Sequence, residues 1–195
     1  QMIAVTNGRG SIRLLDKTGK ELLFLQDAHQ GNSFDVGFSP DGQVLMSTGQ
    51  DGTIKLWTLD GENIQVLRGH SGMIFSAGIS PDGNTIVSAS TDRSIKIWER
   101  RNLDLKTIRL DGDSPVGIEF SLDGEQLFLR TLSEDNRIIR IFGGDGKELR
   151  SIGINQEFCQ SQNRICGEEA YSFDINSNGQ EVVFSRLDGS IQLAQ

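Results

Sequence analysis

Short runs of alternating or continuous apolar residues recur along the chain, and each is closed by a turn signal. TIKLW (53–57) and SIKIW (94–98) alternate polar and apolar residues, the period of a strand with one face buried. VLMSTG (44–49) and TIVSAS (85–90) are short, apolar and rich in β-branched residues, and they also read as strands. Asp41-Gly42, Asp82-Gly83 and Asp123-Gly124 mark hairpin turns, because Asp and Gly tolerate the positive φ that tight turns need. Further turns at LDGEN (59–63) and GGDGK (143–147) lead into IQVLR (64–68) and ELRSI (148–152). No stretch sustains a helical period, so an all-β fold is expected.

The pattern has a period of 41 residues. QDGTIKLW and TDRSIKIW end at Trp57 and Trp98, and the histidines His29 and His70 keep the same interval. FSPDG, ISPDG and FSLDG place their last glycines at 42, 83 and 124. Three markers in one phase predict about four strands per repeat. The units run over about 1–25, 26–67, 68–109, 110–152 and 153–195. The chain enters at a second strand (MIAVT, 2–6) and leaves at a third (SIQLA, 190–194), which gives 18 strands.

Composition narrows the partners. The hydrophobic share is 36 %, with 23 Gly but 3 Pro, as expected of a turn-rich β protein. Net charge is −8, a poor match to a polyphosphate backbone, so nucleic acid is not an expected partner. No apolar run reaches the roughly 18 residues a membrane span needs. QMIAVTNGRG lacks the basic start and apolar centre of a signal peptide.

His70, Ser88 and Asp92 are the three residue types of a hydrolytic triad. The same types stand at the same spacings in His29, Ser47 and Asp51, and a catalytic triad has no reason to recur at the structural repeat. No catalytic residue is therefore expected. GGDGKE (143–148) lacks the leading Gly and following Ser or Thr of a phosphate loop. LDGDS (110–114) lacks the spaced oxygens and distal Glu of a calcium loop, and no cofactor or metal site is expected.

A 41-residue, four-strand unit with Gly-His near its start and Trp closing the third strand resembles the WD-repeat (WD40) β-propeller family. The likeness is sharpest over 29–98. Leu15, Phe142 and Ala194 stand at the Trp place in the other units, and Thr58 and Glu99 replace the family's Asp after Trp. The resemblance implies four-stranded antiparallel blades, about five of them here with the first and last incomplete, within a ring of about seven. It also implies contacts with further blades of a longer chain. His29, Ser47, Asp51 and Trp57, and again His70, Ser88, Asp92 and Trp98, should form buried hydrogen-bond sets. The blades centred on Phe142 and Ala194 should rely on apolar packing. The implied function is a non-catalytic scaffold or sensor for protein or peptide partners, in the manner of large bacterial signalling proteins. An enzyme with a site at the channel mouth and an architectural assembly module are the alternatives.

Two insertions break the period. Three residues enter near SEDNR (133–137), and 11 enter in 154–170, on the connection that carries His29 and His70 in earlier units. Long loops on rigid scaffolds often bind partners, which singles out Phe158 and Arg164 in the insert, with Arg93 and Arg137 from the second-to-third-strand turns. Cys159 and Cys166 lie within the insert; a disulfide between them and two idle thiols in a reducing, cytoplasmic setting are both open.

Overall fold

The computed structural model describes residues 2–100, 104–132, 137–154, 170–175, 182–186 and 191–194, with side chains for 2–100, 104–132 and 139–151. These residues form strands joined by turns, in five antiparallel sheets. The first holds β1 (Met2–Thr6), β2 (Ile12–Asp16) and β3 (Glu21–Leu25). The second holds β4 (Ser33–Phe38), β5 (Val44–Gly49), β6 (Thr53–Thr58) and β7 (Asn63–Arg68). The third holds β8 (Ile74–Ile79), β9 (Thr85–Ser90), β10 (Ser94–Glu99) and β11 (Leu105–Arg109). The fourth holds β12 (Ser114–Phe120), β13 (Gln126–Leu132), β14 (Arg137–Gly143) and β15 (Glu148–Ile154). The last holds β16 (Ala170–Ile175), β17 (Val182–Arg186) and β18 (Ile191–Ala194). Sequential neighbours pair throughout, as in propeller blades.

The turn between first and second strands is built the same way three times. Ser39 Oγ donates to Asp41 Oδ1 at 2.5 Å and accepts the N–H of Val44 at 2.9 Å. Ser80 with Asp82 and Ser121 with Asp123 repeat the bond at 2.5 Å. Gly42, Gly83 and Gly124 follow at φ of 68°, 73° and 77°, a conformation that strains any side chain with a Cβ.

The second and third sheets turn two unlike faces to their neighbours. One face carries the second-strand Ser and third-strand Trp and packs on the preceding sheet; the other is aliphatic and packs on the following one, and the fourth sheet presents Leu127, Leu129 and Phe142 to the third in the same way. Thus Trp57 and Leu45 meet Ile12 and Leu14 of the first sheet. Trp98 and Ile86 meet Met46, Ile54 and Leu56 of the second, and Phe142 meets Val87, Ile95 and Ile97 of the third. Register sets the faces: Leu45 lies opposite Trp57, and Ile86 opposite Trp98. A one-residue slip would exchange the two faces. Each fully buried Ile or Leu in these seams contributes roughly 1.5–3 kcal/mol.

The innermost strands are stitched together at one repeated position. Asp35 Oδ2 on β4 accepts the N–H of Ala77 on β8 at 3.1 Å. Ser76 Oγ on β8 accepts the N–H of Ile118 on β12 at 3.3 Å and donates to its carbonyl at 3.4 Å. Gly117 stands next in this series, and a Cβ there would lie 2.3 Å from Arg130 Nε. The bulk has moved across the pair, since Gly117 and Arg130 are register partners.

Candidate functional site

Two buried hydrogen-bond chains cross the second and third sheets. The connection entering the second sheet delivers His29, β5 delivers Ser47, the β5–β6 turn delivers Asp51 and β6 delivers Trp57. His29 Nδ1 lies 3.0 Å from Asp51 Oδ1, and Nε2 lies 2.8 Å from Ser47 Oγ. Trp57 Nε1 donates to the same Ser47 Oγ at 2.9 Å. In the third sheet His70 Nδ1 lies 2.8 Å from Asp92 Oδ2 and Nε2 lies 2.8 Å from Ser88 Oγ. Trp98 Nε1 donates to Ser88 Oγ at 2.9 Å.

The bonds define the protonation state. Indole can only donate, so each Ser oxygen is an acceptor toward Trp and has one proton left to give. That proton goes to His Nε2, which makes Nε2 the acceptor and places the ring proton on Nδ1, facing the carboxylate. Burial pushes both imidazoles below the usual histidine range, and the Asp partners only partly offset it. Both rings are thus neutral at neutral pH. Burial acts to raise the two carboxyls, but hydrogen bonds outweigh it. Thr53, His29 and the N–H of Gln30 hold Asp51 low. Ser94, His70 and the N–H of Ser71 bring Asp92 down to about 2.

Thr53 and Ser94 are members the sequence reading missed. Thr53 Oγ1 donates to Asp51 Oδ1 at 2.7 Å, and Ser94 Oγ donates to Asp92 Oδ1 at 2.6 Å. The backbone N–H groups of the same two residues also reach these oxygens, at 3.1 Å and 3.0 Å. The signal was present: a hydroxyl residue two places after Asp, in DGT and DRS, closes a local side-chain turn.

As chemistry, the sets are closed. Ser47 and Ser88 are 0 % exposed, and each hydroxyl already serves both its His and its Trp. A substrate carbonyl has no path to either oxygen, and an attacking alkoxide would have to abandon the indole.

The fourth sheet departs from the expectation of apolar packing alone. Phe142 does pack at the Trp place, but Asp113 and Arg140 form an ion pair between the entry loop and β14. Arg140 also reaches Glu148 at 3.3 Å. Asp111, at the histidine place, is exposed, and Asp113 is the buried acid. Charge enters here because Arg140 falls where Lys55 and Lys96 stand, and Leu129 at the Ser place leaves no hydroxyl relay.

A groove of about 460 Å³ runs along β4, β8 and β12, lined in part by Asp35, Ser76, Glu119, Ser121 and Arg130. Its polar groups are committed. Asp35 and Ser76 hold the inter-strand stitches, Ser121 bonds Asp123, and Glu119 and Arg130 have partners of their own. Among the described residues, no group of three His, Cys, Asp or Glu could hold a metal ion.

Of the partner-binding candidates, Arg93 sits exposed in the β9–β10 turn at φ 61°. Arg137 opens β14, opposite Leu132 in register. Phe158, Arg164, Cys159 and Cys166 lie outside the described residues.

Comparison with known proteins finds a family match over two adjoining stretches that hold both histidine sets. The description WD domain, G-beta repeat matches residues 20–58 and 61–99. A WD repeat-containing protein of Synechocystis sp. is 43 % identical over 63 residues, which are 32 % of this chain and 19 % of that protein. A second from the same organism is 38 % identical over 63 residues, with the same shares. WD repeat and SOCS box-containing protein 1 of Danio rerio is 42 % identical over 72 residues, 35 % of this chain and 17 % of that protein. The matched stretch thus spans less than a fifth of the length of each of these relatives.

Proposed function

The chain carries WD40 repeats folded as β-propeller blades, and on that premise we propose that it is a non-catalytic scaffold that binds protein partners, as a docking or sensor module of a larger signalling protein. WD-repeat proteins generally act as interaction scaffolds. One observation carries the reading here: each Ser–His–Asp set, the chemistry most suggestive of catalysis, is buried and fully spent on its own Trp and turn. Such a relay fixes the turns that bear Asp51 and Asp92, so the rim beside them is a rigid platform. The signalling context is carried over from the family resemblance; the bacterial relatives bear only the description WD repeat-containing protein.

Two measurements test this. Immobilised chain should retain a specific protein partner, identified by mass spectrometry, that a heat-denatured control does not. Ester and peptide hydrolysis should stay at background. Hydrolysis lost in Ser88→Ala with unchanged melting would overturn the scaffold reading in favour of an enzyme.

A further inference from the structure

The two rims of the sheets differ in charge. The rim of the first-to-second and third-to-fourth strand turns carries Asp41, Asp60, Glu62, Asp82, Asp123 and Asp145, against Lys17, Lys20, Arg100 and Lys147. The opposite rim, beside the histidine sets, carries four exposed arginines: Arg9, Arg68, Arg93 and Arg109. Its exposed acids among the described residues are Asp27 and Asp111, because Asp51, Asp92 and Asp113 are bound into the sets and the ion pair. Most arginines elsewhere are engaged: Arg13 with Glu21, Arg100 with the Gly83 carbonyl, and Arg140 with Asp113 and Glu148, while Arg150 stands alone among the described residues, exposed on β15. The guanidinium groups of the four rim arginines make no hydrogen bond or ion pair among the described residues.

Register groups them. Arg68 ends β7 opposite Thr53, and Arg109 ends β11 opposite Ser94, so each stands beside the hydroxyl that braces its Asp. Arg93 directly precedes Ser94, and its carbonyl accepts the N–H of Leu110 at 2.9 Å, so Arg93 and Arg109 share one corner of the third sheet. The corresponding turn residues in the first two sheets are Gly10 and Gly52, at φ of 71° and 70°. Arg93 takes the same left-handed conformation at φ 61° with a full side chain, which strains the backbone. Strain of this kind at an exposed position points to a role for the side chain.

We propose that this arginine rim is a docking surface for an acidic, carboxylate-rich peptide segment of a partner protein, with the Arg93–Arg109 corner as its anchor. The proposal rests on the scaffold reading and adds the partner's chemistry to it. Guanidinium recognises carboxylate through paired, planar N–H donors, and a rigid turn presents that fork with little ordering cost. The turn bearing Arg93 is held by the Asp92 carboxylate, which accepts hydrogen bonds from His70, Ser71 and Ser94. A nucleic acid strand fits less well: the arginines are spaced about one or two per sheet, Asp27 and Asp111 interrupt them, and the chain carries a net charge of −8.

The test uses the whole chain, a fluorescein-labelled oligoglutamate peptide and a single-stranded oligonucleotide of similar charge. The peptide should bind, weaken as salt rises, and lose about tenfold in affinity in Arg93→Gly combined with Arg109→Ala. Arg93→Gly alone should weaken binding while leaving the melting temperature equal or higher, whereas a structural arginine would lower it. Equal peptide affinity in wild type and in the variant with all four arginines replaced would overturn the proposal, as would tighter binding of the oligonucleotide. If that fourfold variant still captures the wild-type protein partners, the arginine rim falls and the scaffold reading stands. If neither captures any, the scaffold reading falls as well.

Discussion

Ser88→Ala removes one oxygen from the centre of the third-sheet relay. Ser88 is 0 % exposed, and its hydroxyl bridges Trp98 Nε1 at 2.9 Å and His70 Nε2 at 2.8 Å. Alanine leaves an indole donor and an imidazole acceptor without partners, in a seam walled by Met46, Ile54 and Leu56. Each orphaned buried group costs about 1–3 kcal/mol, so the variant should lose about 2–5 kcal/mol. For a chain of this size that corresponds to about 5–15 °C in melting temperature. A double-mutant cycle with Trp98→Phe separates the hydrogen bond from packing. Phenylalanine removes the donor that Ser88→Ala strands, so the double variant should cost about 1 kcal/mol less than the sum of the singles. Chemical denaturation followed by near-ultraviolet circular dichroism would measure all four proteins. Strict additivity, or a Ser88→Ala protein as stable as wild type, would refute the relay as a stabilising element.

Stability should fall as pH drops below about 6.5, because His29 and His70 are held below their ordinary value when folded, so the unfolded chain takes up protons first. It should fall again between about 4 and 2 as Asp51 and Asp92 protonate; denaturation midpoints across pH would show both steps, and His29→Gln with His70→Gln should flatten the upper one. Gly10→Ala should cost more than 2 kcal/mol, since a Cβ would sit 2.3 Å from the His29 carbonyl oxygen at φ 71°. Gly19→Ala, at φ 85° with nothing within 4 Å, should cost only about 1 kcal/mol; paired melting curves decide this. Asp113→Asn should lower stability by about 1–2 kcal/mol, discounted because Arg140 keeps some solvent contact, with the loss read from denaturant midpoints. Deleting the 11 extra residues of 154–170 should leave the chain folded and weaken partner capture, checked by circular dichroism and pull-down.

The repeat was legible because two constraints coincide in it. TIKLW and SIKIW alternate because the aliphatic face, Ile54 and Leu56 or Ile95 and Ile97, packs on the next sheet while the other face carries Thr or Ser and Lys beside the Trp; the expected single buried face is corrected, since both faces are largely buried. The SPDG turns were legible because their glycines sit at positive φ. His29 and His70 could be paired with Ser and Asp from spacing, yet Thr53 and Ser94 escaped notice because a hydroxyl at the start of a strand is unremarkable by composition. The fourth sheet was misread for a physical reason. Asp113 and Arg140 are 27 residues apart, and only the fold brings the entry loop over β14. The repeat's strand order already placed Arg93 on the histidine side, but Arg9, Arg68 and Arg109 join it there only once strand ends and register are fixed.

The two unlike faces of the second and third sheets give the assembly a direction of growth. A sheet that offered the same face on both sides could stack in either sense or skip a neighbour. Here the Trp-bearing side of one unit packs on the aliphatic side of the one before it, as Trp98 packs on Met46 and Ile54 and Trp57 on Ile12 and Leu14. The contact is head-to-tail, so a unit of the second- or third-sheet type can be added beside another with the same kind of seam. Gene duplication therefore has a simple physical target, a 41-residue cassette whose two surfaces already match copies of themselves.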